Sequence, residues 1–204
     1  MEKYRPTIDD NAKLALKAHS NILTDDDNSQ LERANVIETI WDDEIKSNVI
    51  CELPITVPEE ILIQLKDLAL KADYKSYFEL NLSDLQEGDV KNWIVETFLP
   101  YEEIQTYAFL KIEKNAYIWP HHDPNRHVNI YIPLLPEDIL YAPLEIYYNN
   151  KIYGVPINTN KVYAWNTKLL HGVFNQNLDR YNLQMSIYIP YQEFYEKYKD
   201  IINV

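Results

Sequence analysis

The sequence predicts a mostly β domain with helices gathered in its N-terminal half. Three observations carry this. From Ile104 onward, short apolar runs recur at roughly 8–12-residue spacing between turn residues, the pattern of an all-β sandwich or barrel. The chain holds 17 Tyr and 4 Trp, side chains that suit half-buried pleated surfaces. Capping residues followed by helix-spaced Leu and Ala are concentrated before about residue 100.

Taken in order, residues 7–20 (TIDDNAKLALKAHS) offer capping Asp side chains and then a helical run. Residues 25–32 (DDDNSQLE) read as a solvated acidic loop and 47–57 (SNVICELPITV) as a strand. Residues 58–72 (PEEILIQLKDLALKA) open with Pro and two Glu, which suit the positive end of a helix. Leu62, Leu65, Leu68 and Leu70 give that helix an apolar face. Residues 88–99 (GDVKNWIVETFL) offer another helix. Eight strands are then expected at 104–113, 116–120, 127–134, 143–149, 151–157, 161–166, 169–175 and 181–190, with a closing helix at 191–202. Only 3 Gly occur, so tight turns must lean on Asn, Asp and Pro. A length of 204 residues suits one domain: helical support over 1–103, a β core over 104–190 and the closing helix over 191–204.

Charge and cysteine content narrow the function classes. A net charge of −13 repels phosphate backbones, so no nucleic-acid partner is expected. A single cysteine, Cys51, excludes an internal disulfide and fits a reducing compartment. No His partner is suggested near it, so it reads as an inert thiol. The opening MEKYRPTIDD has no apolar signal core, and no run of 18 apolar residues occurs. The chain therefore reads as cytoplasmic, with no membrane partner.

One stretch asks for a chemical explanation. PHHDPNRHVNIYIPL, residues 120–134, holds three of the five histidines, and an apolar β run follows at once. Burying imidazole and carboxylate is costly unless they are paired or bound to metal. In an extended chain His121 and Asp123 share a face and His122 points away. A bulge would exchange His121 for His122. A further imidazole, His171, lies in another expected strand. Two His and one carboxylate on neighbouring strands form a donor set that holds a non-haem Fe(II) and leaves three positions open. The same donors would serve a zinc site. Arg180 stands nine residues past His171 and opens a strand with Asn182, Gln184, Ser186 and Tyr188 on its own face. Tyr181, Leu183, Met185, Ile187 and Ile189 form the opposite, core-like face. A guanidinium fork there is suited to a carboxylate. His127 reads as a surface residue at the start of a strand. Asn166 and Thr167 read as turn formers.

At these residues the sequence resembles the 2-oxoglutarate/Fe(II)-dependent oxygenases of the aspartyl/asparaginyl- or prolyl-hydroxylase-like branch. IEKNAYIWPHHD (112–123) is similar to the family's lead-in to His-x-Asp, although Asn115 stands where many relatives carry Gly. HVNIYIPL (127–134) and WNTKLLHGVFNQNLDRYNL (165–183) are similar to the strands that follow. The resemblance spans about residues 110–190. It implies a double-stranded β-helix, or jelly roll. It also implies that His121, Asp123 and His171 bind Fe(II) as the catalytic centre, and that Arg180 pairs with the distal carboxylate of 2-oxoglutarate. Asn129 and Tyr131 would line the co-substrate pocket, with Trp119 and Trp165 as walls or core fillers. The implied reaction consumes O2, hydroxylates a C–H bond of an amino-acid side chain, free or in a polypeptide, and releases succinate and CO2. A cupin-like metalloenzyme that does not use 2-oxoglutarate and a non-catalytic β-sandwich are the competing readings.

Overall fold

Each of the eight β runs expected after Ile104 forms a strand in the computed structural model, which describes residues 26–27, 37–38, 41–72, 78–80, 88–101, 104–114, 117–136, 144–154, 160–174 and 178–202. These eight are β4 (Ile104–Ile112), β5 (Tyr117–His121), β6 (Val128–Leu135), β7 (Leu144–Tyr148), β8 (Lys151–Gly154), β9 (Lys161–Asn166), β10 (Leu170–Phe174) and β11 (Arg180–Ile187). The expected strand before them is β2 (Ile50–Thr56), and two short strands, β1 (Ile37–Glu38) and β3 (Phe78–Leu80), add to it. Among the described residues, the helices of six residues or more are α1 (Asp43–Asn48), α2 (Glu59–Lys71), α3 (Asp89–Phe98) and α4 (Tyr191–Ile202). The helix expected at 7–20 lies outside the described residues. Among the described residues, no helix is long and apolar enough to cross a membrane.

The strands form two sheets, ordered β1-β8-β7-β10-β5 and β2-β9-β6-β11-β4-β3. Pairing is antiparallel except for β1 with β8. From β4 to β11 the chain crosses between the sheets at nearly every connection, so β4, β6, β9 and β11 lie in one and β5, β7, β8 and β10 in the other. The exception is the β7–β8 hairpin. It turns on Asn149 and Asn150, both at positive φ (49° and 60°). That is the two-residue turn whose twist matches its strands, and Asn supplies it in a glycine-poor chain.

Alternation along the larger sheet sorts its side chains into two cores. Ile130, Ile132 and Leu134 of β6, Val162 and Ala164 of β9, and Leu183, Met185 and Ile187 of β11 pack against α2, α3 and α4. The opposite faces, with Tyr131, Tyr163 and Trp165, join Leu144, Ile146 and Val173 of the smaller sheet. Helices therefore cover one face of the larger sheet, and the space between the sheets is left for a second, mixed core. The β6 run is buried along nearly its whole length because both faces are covered.

Several local expectations are corrected. On α2, Ile61, Leu62, Leu65 and Ala69 form the buried face, whereas Leu70 is 59% exposed. Short α1 went unseen; Asp42 caps it by accepting from the Ile45 amide at 2.9 Å. Within the expected acidic loop, Asp26 and Asp27 are helical and Asp27 is buried.

Candidate metal centre

The edge of the smaller sheet shapes this region. β5 is its terminal strand, the setting in which Pro120, lacking an N–H, costs no ladder bond. Pairing with β10 runs from Val173 opposite Ile118 to His171 opposite His121, so β5 carries one residue more than β10 across this interval. Such a bulge re-aims side chains locally. It precedes His121, and His121, not His122, turns towards His171. Gly172 makes the close approach possible. A Cβ there would sit 3.0 Å from the Ile118 carbonyl oxygen and 3.1 Å from the Pro120 nitrogen.

His121, Asp123 and His171 come together. One donor atom from each lies within 4.8 Å of the other two. Asp123 Oδ1 is 3.6 Å from His121 Nε2 and 4.0 Å from His171 Nε2. The two imidazoles lie 4.3 Å apart, and the Trp165 ring meets His171 edge-on at 4.5 Å. His171 Nδ1 donates to the Leu169 carbonyl at 2.9 Å, which leaves the Nε2 lone pair facing Asp123. Burial pushes His171 down to about 3, with His121 adding to the effect. Burial alone would raise the Asp123 carboxyl, but His121, Arg126 and His171 outweigh it and hold the group well below the usual carboxylate range. The donor chemistry fits a divalent first-row cation: two imidazoles and an ionised carboxylate, three ligands with room for others.

Residues 166–168 hold the turn that carries Asp123. The Asp123 amide donates to the Thr167 carbonyl at 3.0 Å. Lys168 Nζ donates to the carbonyls of Asp123 (2.8 Å) and Pro124 (2.9 Å). Thr167 Oγ1 donates to the Arg126 carbonyl at 2.7 Å. Asn166 Nδ2 donates to the Asn48 carbonyl at 2.9 Å. These turn formers thus anchor the site as well. His122 faces away, with Nδ1 2.7 Å from the Lys168 carbonyl and Nε2 3.0 Å from Asp27 Oδ1. His127 joins the frame through its backbone, its amide donating to the Ile187 carbonyl at 2.9 Å.

Beside the three donors opens a cleft of about 470 Å³, counting its mouth. Leu110, Ile112, Ile118, Leu144 and Val173 supply its apolar lining, with Ile112 and Leu110 directly across from Arg180 and Asn182 in the sheet. Tyr131, Trp165, Arg180 and Asn182 supply its polar lining, with Arg126 and Gln184 nearer the histidines' turn. Arg180 is 2% exposed and donates through Nη2 to the Tyr131 hydroxyl at 2.8 Å. Its Nη1, the Trp165 Nε1 and both amide atoms of Asn182 are buried without a hydrogen-bond partner. Buried polar atoms are costly unless satisfied, so this wall is built for a polar occupant. Asn129 is fully buried on the face of β6 that carries Tyr131, but it does not line the cleft. The Trp119 side chain and Asn115 lie outside what is described. Sequence reasoning missed Gly172, Arg126 and Lys168. Only Gly172 left a signal, a scarce residue type directly after His171.

Solved structures share this fold. A Pseudomonas putida prolyl-4-hydroxylase is similar with a TM-score of 0.56, covering 72% of this chain and 88% of its own at 10% identity. A 2OG-Fe(II) oxygenase family oxidoreductase from Burkholderia pseudomallei gives 0.54, covering 76% and 95% at 11% identity. HygX from Streptomyces hygroscopicus, in a structure with nickel and 2-oxoglutarate bound, gives 0.55, covering 74% and 87% at 10% identity. No family model and no curated protein sequence matches the chain. At such identities the likeness is one of fold.

Proposed function

We propose that this chain is a non-haem Fe(II)/2-oxoglutarate-dependent oxygenase with a double-stranded β-helix core. It hydroxylates a C–H bond of an amino-acid side chain, free or in a polypeptide, and releases succinate and CO2. The observation that carries the reading is one arrangement: His121, Asp123 and His171 at the side of a cleft whose polar wall contains a buried, half-satisfied Arg180. The strand orders β4-β11-β6-β9 and β5-β10-β7-β8 support the β-helix assignment. The fold shared with oxygenase structures supports it too.

In this reading His121, Asp123 and His171 hold Fe(II). With 2-oxoglutarate and O2, the bound iron supplies the oxidising chemistry that the side chains of this protein lack. Arg180 takes the distal carboxylate of 2-oxoglutarate, and the Tyr131 hydroxyl fixes the guanidinium so that its free Nη1 faces the ligand. Asn182 and the Trp165 indole N–H add donors on the same wall. Asn129 lies beside Trp165 in the sheet register and supports the wall from outside the cleft. The apolar lining residues exclude water from the reacting atoms. One buried thiol accords with work in a reducing, cytoplasmic setting.

The test is 2-oxoglutarate-dependent succinate formation in air by the Fe(II)-loaded protein, screened against free amino acids and peptides, for wild type and Arg180→Ala. Succinate above background in the wild type and its loss in the variant support the reading. A wild type that binds Fe(II) yet forms no succinate overturns it. So does turnover indifferent to Arg180, as a cupin-like metalloenzyme would show.

A further inference from the structure

Arg126 is a cation bonded to a side chain of the donor triad. Its Nε donates to Asp123 Oδ2, and its Nη1 donates to Gln184 Oε1 at 2.9 Å. Asp123 therefore has its two oxygens assigned to different tasks. Oδ2 is held by the guanidinium, and Oδ1 faces His121 and His171. Both ends of Arg126 are fixed. Its carbonyl accepts from Thr167 Oγ1, and its head is anchored on β11 through Gln184. The turn from Asp123 to Arg126 is short and holds Pro124, whose ring restricts φ directly after the carboxylate. Gln184 shares its face of β11 with Arg180 and Asn182, and all three line the cleft. The chain Asp123–Arg126–Gln184 thus runs from the donor triad to the strand that forms the polar wall.

We propose that Arg126, braced by Gln184, is a positioning residue that presents Asp123 to the metal through Oδ1 alone. The proposal rests on the metal-centre reading and adds to it a determinant outside the donor set. A planar fork bonding two acceptors at once fixes orientation, which a lysine's point charge does not. Partners of this kind, one bond removed from the metal, typically change metal affinity about 10–100-fold.

The test uses Mn(II) alone as probe, with affinity read by titration and the ligand geometry by the EPR line shape of the bound ion. Arg126→Ala and Arg126→Lys are compared with wild type, and Gln184→Ala is included because it removes only the brace. Arg126→Ala is expected to weaken Mn(II) binding about 10–100-fold and to alter the line shape. Arg126→Lys should recover only part of the loss, and Gln184→Ala should shift both readouts in the same direction by less. A purely structural role would lower the melting temperature of the metal-free protein and leave affinity and line shape of the folded fraction unchanged; that result overturns the proposal. If Arg126→Ala fails to fold, Arg126→Lys and Gln184→Ala decide it by the same criteria. Wild type that binds no Mn(II) sinks the metal-centre reading and this proposal with it, whereas tight wild-type binding matched by the variants sinks this proposal alone.

Discussion

Replacing Gly172 by Ala adds one methyl group at the tightest approach beside the candidate centre. The new Cβ would lie 3.0, 3.1 and 3.3 Å from the Ile118 carbonyl oxygen, the Pro120 nitrogen and the Pro120 Cα, against about 3.4 Å for ordinary contact. All three are backbone atoms of β5, so no side chain can rotate to make room. β5 must retreat by several tenths of an ångström and carry His121 with it. Overpacking of this kind costs about 1–3 kcal/mol. The loss of glycine freedom in the unfolded chain returns about 0.4–1 kcal/mol. The steric term wins, with a net loss of about 1–2 kcal/mol, or roughly 2–8 °C in melting temperature for a chain of this size. Because the retreat separates His121 from His171, Mn(II) affinity should also fall by about tenfold or more. Differential scanning calorimetry of the metal-free protein and a Mn(II) titration read the two effects. An unchanged or raised melting temperature together with unchanged affinity would refute the reasoning, since it would mean that β5 and β10 are not held at this distance.

Other consequences concern protons and thiols. His171, pushed down to about 3 by burial, stays neutral in the fold while the unfolded chain protonates it near 6.5. Between those values the unfolded state binds the extra proton, so stability of the metal-free protein falls as pH drops from about 6.5 towards 3, by up to about 1.4 kcal/mol per unit. Asp123, held low, adds to the loss only where the unfolded carboxylate protonates, below about 3.8. Urea melts of wild type and His171→Asn across this range should show a steeper acid loss in the wild type; equal slopes would contradict the assignment. Cys51 is fully buried and its thiol is pushed up to about 12 by that burial. A thiol reagent at pH 8 should label it only at the rate of unfolding, and labelling within minutes in native buffer would show that β2 is not sealed.

How much of this was legible depended on whether the signal was local. Period-two alternation located β4–β11 and separated the polar face of β11 from its apolar one, because each strand carries that pattern within itself. The same alternation set His121 and Asp123 on one side and turned His122 to the other, and the bulge in β5 did not exchange them. Leu70 was misassigned because the buried stripe of α2 runs through Ile61, Leu62, Leu65 and Ala69, leaving Leu70 beyond its edge. Strands of two and three residues are too short to alternate visibly, so β1 and β3 gave no signal. The contact of Asp27 with His122 joins residues 95 apart, and the bond from Arg126 to Gln184 joins residues 58 apart. Neither residue spacing nor composition encodes such meetings; they follow from how distant segments pack in the finished fold. Gly172 is intermediate, since its position was visible but the backbone it must clear was not.

The most direct measurement is an anaerobic titration of the purified protein with Fe(II) and then 2-oxoglutarate, followed by visible absorption. The account predicts a weak charge-transfer band that needs both additions and is missing from His171→Ala. A wild type that develops no band, or a band of equal strength in His171→Ala, would contradict the claim that this imidazole, His121 and Asp123 hold one iron beside the oxo-acid.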